Sequence, residues 1–234
     1  MIDIVPGLLD AIKSDFVANV KDNPAMNKVL DLIKSGAATY ENVNDYAVWS
    51  GRFLSISIRK HVTADVLPDG RMYYNIADRI LGETLKDNHD MVATVAEEVQ
   101  TALSKSAGIG IKAIKPKLNQ DRINGLVDRI SNEVDFEKVE WLLDEPIVNF
   151  SQSVADEAIK VNVEFQGKSG LSAKVVRTPE SGACEWCRAV AGEYTYPDVP
   201  EDVWRRHERC RCVIDYTPRK GRTEGLSGTG RAWR

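Results

Sequence analysis

The sequence predicts a mainly α fold, a helical body that ends in a small two-stranded unit near the carboxy terminus. Three observations predict it. Apolar residues recur at helical spacing over the first two thirds of the chain. The two short runs that read as strands both come after Gly170. All four cysteines fall between 184 and 212, in the loop that joins those runs.

The helical reading proceeds in order. Leu8, Leu9, Ile12, Phe16 and Val20 share one helical face, and Asn23-Pro24 ends that run. Met26, Val29, Leu30 and Ile33 repeat the pattern until Ser35-Gly36. A longer stretch over about 40–63 carries Val43, Tyr46, Ala47, Trp49, Phe53, Leu54 and Ile56. Leu67-Pro68-Asp69-Gly70 is a turn signal, and 73–85 and 91–103 are two further helices. Residues 107–118, with Gly108, Gly110 and Pro116, read as an extended loop. Asn119-Gln120-Asp121 then caps a helix over 121–132, with Ile123, Leu126, Val127 and Ile130 on its inner face. A short helix over 136–143 follows. The next starts at Asp144-Glu145-Pro146 and runs to about 166, since proline suits a first turn where its missing donor does no harm.

Gly167 to Gly170 closes the helical part. Residues 171–177 and 210–216 are the two strands. The chain therefore divides into a helical domain over 1–168, a cysteine-bearing module over 169–216 and a tail over 217–234. The tail sets Arg219, Lys220, Arg222, Arg231 and Arg234 against Glu224 alone and is rich in Gly, Ser and Thr, a composition that predicts disorder.

Bulk composition narrows the function classes. The chain has 234 residues, 43% hydrophobic and 28% charged, which suits a globular protein with a real core. A net charge of -4 gives no global case for nucleic-acid binding. No apolar run approaches the length that crosses a bilayer, so no membrane partner is expected. The start has an early acid and no basic region, so no secretory signal is read and a reducing cytoplasm is expected. Cysteines there are metal ligands before they are disulfides.

Cys184-Glu-Trp-Cys187 lets the chain curl so that two thiolates face one centre. His207-Glu-Arg-Cys210-Arg-Cys212 supplies the rest. On an extended strand Cys210 and Cys212 project from one face, with His207 on the turn before them. Zinc takes four such ligands in a tetrahedral shell, so this is a candidate structural Zn²⁺ site. Five candidates compete for four places: either all four cysteines bind, or His207 displaces Cys210 or Cys212. The alternatives are disulfides after release into an oxidising setting, or four cysteines buried as small side chains. Trp186, Tyr194, Tyr196 and Trp204 would pack around the metal and dry it, or serve as local core. Arg205, Arg206, Arg209 and Arg211 would hold phosphate or an acidic surface, or form a solvated rim.

Catalytic readings find little support. His61 and His89 stand apart from the cluster, as ordinary surface or cap residues would. A His-Asn-His nuclease needs more histidines near its cysteines, and a zinc deaminase needs His-x-Glu with Pro-Cys-x-x-Cys. No P-loop, GxGxxG or GxSxG occurs. Glu97 and Glu98 are adjacent on a helix and point apart.

The run Val176-Arg177-Thr178, Cys184-x-x-Cys187-x-x-x-Ala191-Gly192-x-Tyr194-x-Tyr196 and Val203-Trp204-Arg205-Arg206-His207-x-x-Cys210-Arg211-Cys212 resembles the carboxy-terminal part of tailed-phage minor head proteins of the Mu F-like morphogenesis group. Ala107-Gly108-Ile109-Gly110 and the run from Trp141 to Ser153 resemble its members in phages and prophages of Gram-positive bacteria. The resemblance spans about 100–216. It implies a non-enzymatic structural protein of the virion, made in the bacterial host cytoplasm and placed inside the phage head. There it would act in head morphogenesis beside the portal. Portal, major capsid or scaffold protein would be its partners. Packaged DNA is an alternative partner, through Arg205, Arg206, Arg209, Arg211 and the basic tail. A zinc-dependent nuclease is the remaining alternative.

Overall fold

The computed structural model describes residues 3–21 and 23–219. Among them the helices are α1 (Val5–Lys21), α2 (Pro24–Lys34), α3 (Tyr40–His61), α4 (Tyr74–Ser106), α5 (Gln120–Asn132), α6 (Glu145–Lys168) and the short α7 (Glu185–Ala189). The strands are β1 (Ser172–Thr178), β2 (Gly192–Thr195) and β3 (Val213–Arg219). The mainly α class with a small carboxy-terminal sheet is thus what the chain adopts.

Local chemistry sets the helix ends. Asn23 caps α2 by accepting from the Met26 N–H at 3.0 Å, and Pro24 occupies the first turn. The Thr39 N–H donates to Asn42 Oδ1 at 3.0 Å, half of a capping box at the start of α3. Asn119 caps α5 through the Arg122 N–H at 3.0 Å.

α3, α4 and α6 form the centre. Gly51 lets α3 approach α6 closely, since a Cβ there would lie 2.8 Å from the Val148 Cα and 2.8 Å from Ser151 Oγ. A polar seam runs through the same junction. Asn88 donates to Ser50 Oγ at 2.5 Å and accepts from the Ser151 hydroxyl at 2.6 Å. All three side chains are buried.

That seam explains one difference from the expected elements. The two helices expected over 73–85 and 91–103 are a single 33-residue helix, α4. The inward positions at its middle carry Asn88 and His89, so the apolar repeat lapses while the helix continues. The short helix expected over 136–143 is instead two 3-10 turns, Phe136–Lys138 and Glu140–Leu143.

The sheet has three antiparallel strands in the order β2-β1-β3, where two were expected. β2 is the addition, pairing Tyr194 with Val175. β3 starts three residues later than expected and continues to Arg219, with Tyr216 also opposite Val175. Ala173, Val175, Ile214 and Tyr216 are buried in the same apolar cluster as the helical body. Tyr216 stands edge-on to Tyr40 of α3, centroids 6.0 Å apart, and its hydroxyl bonds Gln166 of α6. The cysteine-bearing loops therefore hang from a sheet that is welded to α3 and α6. Of the tail expected over 217–234, residues 217–219 belong to β3 and 220–234 lie outside the described residues.

Candidate metal centre

Two tight turns present the candidate ligands. α7 begins at Cys184, whose Sγ accepts from the Cys187 N–H at 3.4 Å, so the CxxC curls back on itself. In the second turn the Cys210 N–H donates to the His207 carbonyl at 3.2 Å. Arg209 closes that turn with a φ of 57°, a left-handed conformation that costs a non-glycine residue. Asn149 of α6 donates to the His207 carbonyl at 3.2 Å and so ties the turn to the body.

The five expected ligands converge as two triads that share Cys187. Cys184, Cys187 and His207 form one; Cys187, Cys210 and Cys212 form the other, with donor atoms in each within 4.8 Å of one another. His207 Nε2 lies 2.9 Å from Cys187 Sγ and 3.3 Å from Cys184 Sγ. The Sγ atoms of Cys187 and Cys210 are 3.8 Å apart. Two thiolates on one tetrahedral zinc, each bonded at about 2.3 Å, sit about 3.8 Å apart, so this edge fits a common ion. All four cysteines are free thiols. Cys187, Cys210 and Cys212 are buried, whereas Cys184 and His207 are exposed. The cluster can hold a metal. Cys210 and Cys212 converge although they precede β3, because the turn rather than the pleat directs them.

Electrostatics around the thiols favours the anionic state at two of them. The backbone N–H of Cys187 lowers the Cys184 pKa, outweighing desolvation. Burial pushes the Cys210 thiol up, but the Cys212 backbone N–H and the Arg206 guanidinium outweigh it and leave the pKa lowered. Burial pushes the Cys187 thiol well up, with the neighbouring Cys212 and Cys210 adding to the effect. A bound cation would oppose that shift, since it favours the thiolate.

Sequence reasoning gave Arg177 a place in the resembling motif but no role at the site. It takes the third inward position of β1 after Ala173 and Val175, and it is 1% exposed. Its Nη1 donates to the carbonyls of Val203 at 2.5 Å and Arg205 at 2.8 Å, and its Nη2 points at Cys210 Sγ, 3.6 Å away. No carboxylate among the described residues pairs with it. A charge in that position needs an anion, and thiolates are the anions at hand. The signal was present as an arginine in phase with two apolar residues on a strand.

Of the four aromatics read either as packing around the metal or as local core, Trp186 is the one beside the cluster. Its ring meets His207 edge-on at 5.8 Å and lies under the Arg177 guanidinium at 5.2 Å. Tyr194, Tyr196 and Trp204 pack against the main core instead. The four arginines also divide. Arg206 is paired with Asp156 of α6, with side chains 2% and 5% exposed, and Arg211 is paired with Glu145 at 2.6 Å. Arg205 and Arg209 are exposed, beside Asp202 and Glu208. Arg206 and Arg211 thus bolt the ligand loop onto α6.

His61 bonds Asp15 at 2.7 Å, far from the cluster. His89, expected as a surface or cap residue, is buried in the middle of α4 with only 5% exposure. No helix among the described residues is long and apolar enough to cross a membrane. No protein-family model, curated protein or solved structure matches the chain.

Proposed function

We propose that this chain is a minor head protein of a tailed phage, acting in head morphogenesis beside the portal, with a structural zinc ion that fixes its carboxy-terminal loops. One observation carries the reading. Six residues of the motif that resembles the phage family gather at the metal centre: Arg177, Cys184, Cys187, His207, Cys210 and Cys212.

Zinc suits the donor set better than harder cations. Thiolate and imidazole favour it, whereas magnesium and calcium want oxygen. A four-cysteine shell carries two negative charges and a three-cysteine, one-histidine shell carries one. Either would balance Arg177, which no carboxylate meets among the described residues. Five protein donors competing for four places leave no open position for a reacting water, which favours a structural over a catalytic metal. Bound zinc would tie the Cys184–Cys187 turn to the His207–Cys212 turn across β1. The ligand loops then present a rigid face, with Arg205 and Arg209 exposed. That face would dock on portal, capsid or scaffold protein inside the virion.

Co-expression with the portal, major capsid and scaffold proteins of one phage tests the assembly reading. The expected result is copurification with portal or procapsid, weakened by Cys184→Ser. Procapsids that form normally without the chain and never retain it would overturn the assignment.

A further inference from the structure

A cleft of about 560 Å³ opens between the amino-terminal end of α5, the middle of α4 and α6, and the 3-10 turn Glu201–Trp204. Its size suits a ligand as large as a mononucleotide. None of the five candidate metal ligands lines it; Arg205, on the face proposed for docking, stands at its rim.

Three features make it a site. The first is Arg122, which lines the cleft half-buried and whose guanidinium has neither hydrogen-bond nor ion-pair partner among the described residues. Burial lowers its pKa against the opposing pull of Asp156, as expected of a guanidinium short of an anion. The second is the α5 amino terminus, where Lys117 and the backbone dipole of a 13-residue helix add positive potential. The third is His89. Its Nδ1 lies 3.1 Å from Asp90 Oδ1. Its Nε2 is buried without a partner, on a side chain only 6% exposed.

The acids of the cleft do not cancel this field. Asp156 is committed to Arg206, and Glu201 to Lys160 at 2.6 Å. Asp121 is exposed, where solvent and salt screen it, and burial raises the pKa of the Glu157 carboxyl beside Lys160. Among the sheltered charges of the cleft, the Arg122 guanidinium is therefore the one left without a paired carboxylate among the described residues. Trp204 supplies a half-buried aromatic wall.

We propose that this cleft binds a nucleoside phosphate, free or at the phosphorylated end of a nucleic-acid strand. The phosphate sits on Arg122 and Lys117 at the start of α5, and the base lies against Trp204. Arginine recognises phosphate through two parallel N–H donors, and planar bases stack on aromatic rings.

Titration calorimetry of the full metal-loaded chain tests this with four probes: inorganic phosphate, a deoxynucleoside monophosphate, and one short single strand with and without a 5′-phosphate. Saturable binding of the mononucleotide or the phosphorylated strand is expected, and the preferred one identifies the source. Arg122→Gln should weaken it by about tenfold or more. Lys117→Gln, at an exposed position, should weaken it by a smaller factor and serves if the first variant misfolds. Arg129→Gln, which alters the α5 arginine stacked on Trp141 outside the cleft, should leave it unchanged. The proposal is overturned if no probe binds at millimolar concentration. It is equally overturned if the unphosphorylated strand binds as well as the phosphorylated one, if inorganic phosphate binds as tightly as the nucleotide, or if neither cleft variant alters binding.

Discussion

Replacing Arg206 by methionine isolates the bolt between the ligand loop and the helical body. The guanidinium is held by Asp156 through Nε at 2.5 Å and Nη2 at 2.8 Å, and its Nη1 donates to the Cys212 carbonyl at 2.8 Å. Methionine fills most of the volume and removes all three donors. Asp156, with a side chain 5% exposed, is left as a buried carboxylate, and the Cys212 carbonyl loses this donor. Breaking one side of a buried pair costs about 3–5 kcal/mol, because the surviving charge has no hydration to return to. Arg122 lies close enough to Asp156 to interact with it and offsets part of this, so the lower end of the range is expected. For a chain of this size about 1 kcal/mol shifts Tm by about 2–4 °C, which predicts a loss of about 6–12 °C. Calorimetry and urea unfolding on the metal-loaded protein measure it. Replacing both partners, as Arg206→Met with Asp156→Leu, should recover part of the loss: no carboxylate is stranded, but Arg122 loses the acid that offsets its burial. A single substitution that costs less than about 1 kcal/mol would refute the reasoning, as would a double variant no better than the single one.

Other outcomes follow from the same geometry. Gly51→Ala should destabilise the chain by about 1–3 kcal/mol in urea unfolding, because its Cβ would press on the α6 backbone at Val148 rather than on a movable side-chain tip. Burial pushes the Tyr216 hydroxyl up to about 12, so its contribution is complete below the free phenol value of about 10 and drains as pH rises towards the folded value. Tyr216→Phe should therefore flatten the alkaline arm of a stability–pH curve while lowering its plateau. Chelation should expose amides over 180–212 to hydrogen exchange yet spare β1 and β3, whose inner residues belong to the main core. Arg177→Met should speed loss of metal to a chelator by more than an Arg188→Met control on exposed α7 surface.

The sequence made the helical body legible wherever burial was apolar and periodic. α1, α3, α5 and α6 fall where Ile12, Val43, Ile123 and Phe150 place them. Its reading lapsed where polar residues point inward. Asn88 and His89 split α4 in two on paper, although the Ser50–Asn88–Ser151 seam is internal. Spacing alone located the five candidate ligands, because metal chelation is largely local in each turn. Spacing could not say that Arg206 and Arg211 turn inward, since that depends on Asp156 and Glu145, partners 50 and 66 residues away. β2 escaped notice because four residues with alternate burial carry little apolar signal. The role of Arg177 was missed for a related reason: a charged residue is read as exposed unless an anion is already in view.

Zinc analysis of the purified chain, with thiols titrated before and after chelation, bears most directly on the metal centre. One zinc ion per chain is expected, with at least three of the four cysteines unreactive until the metal is removed. A metal-free chain whose four thiols react at once, and which unfolds at the same temperature with or without chelator, would contradict it.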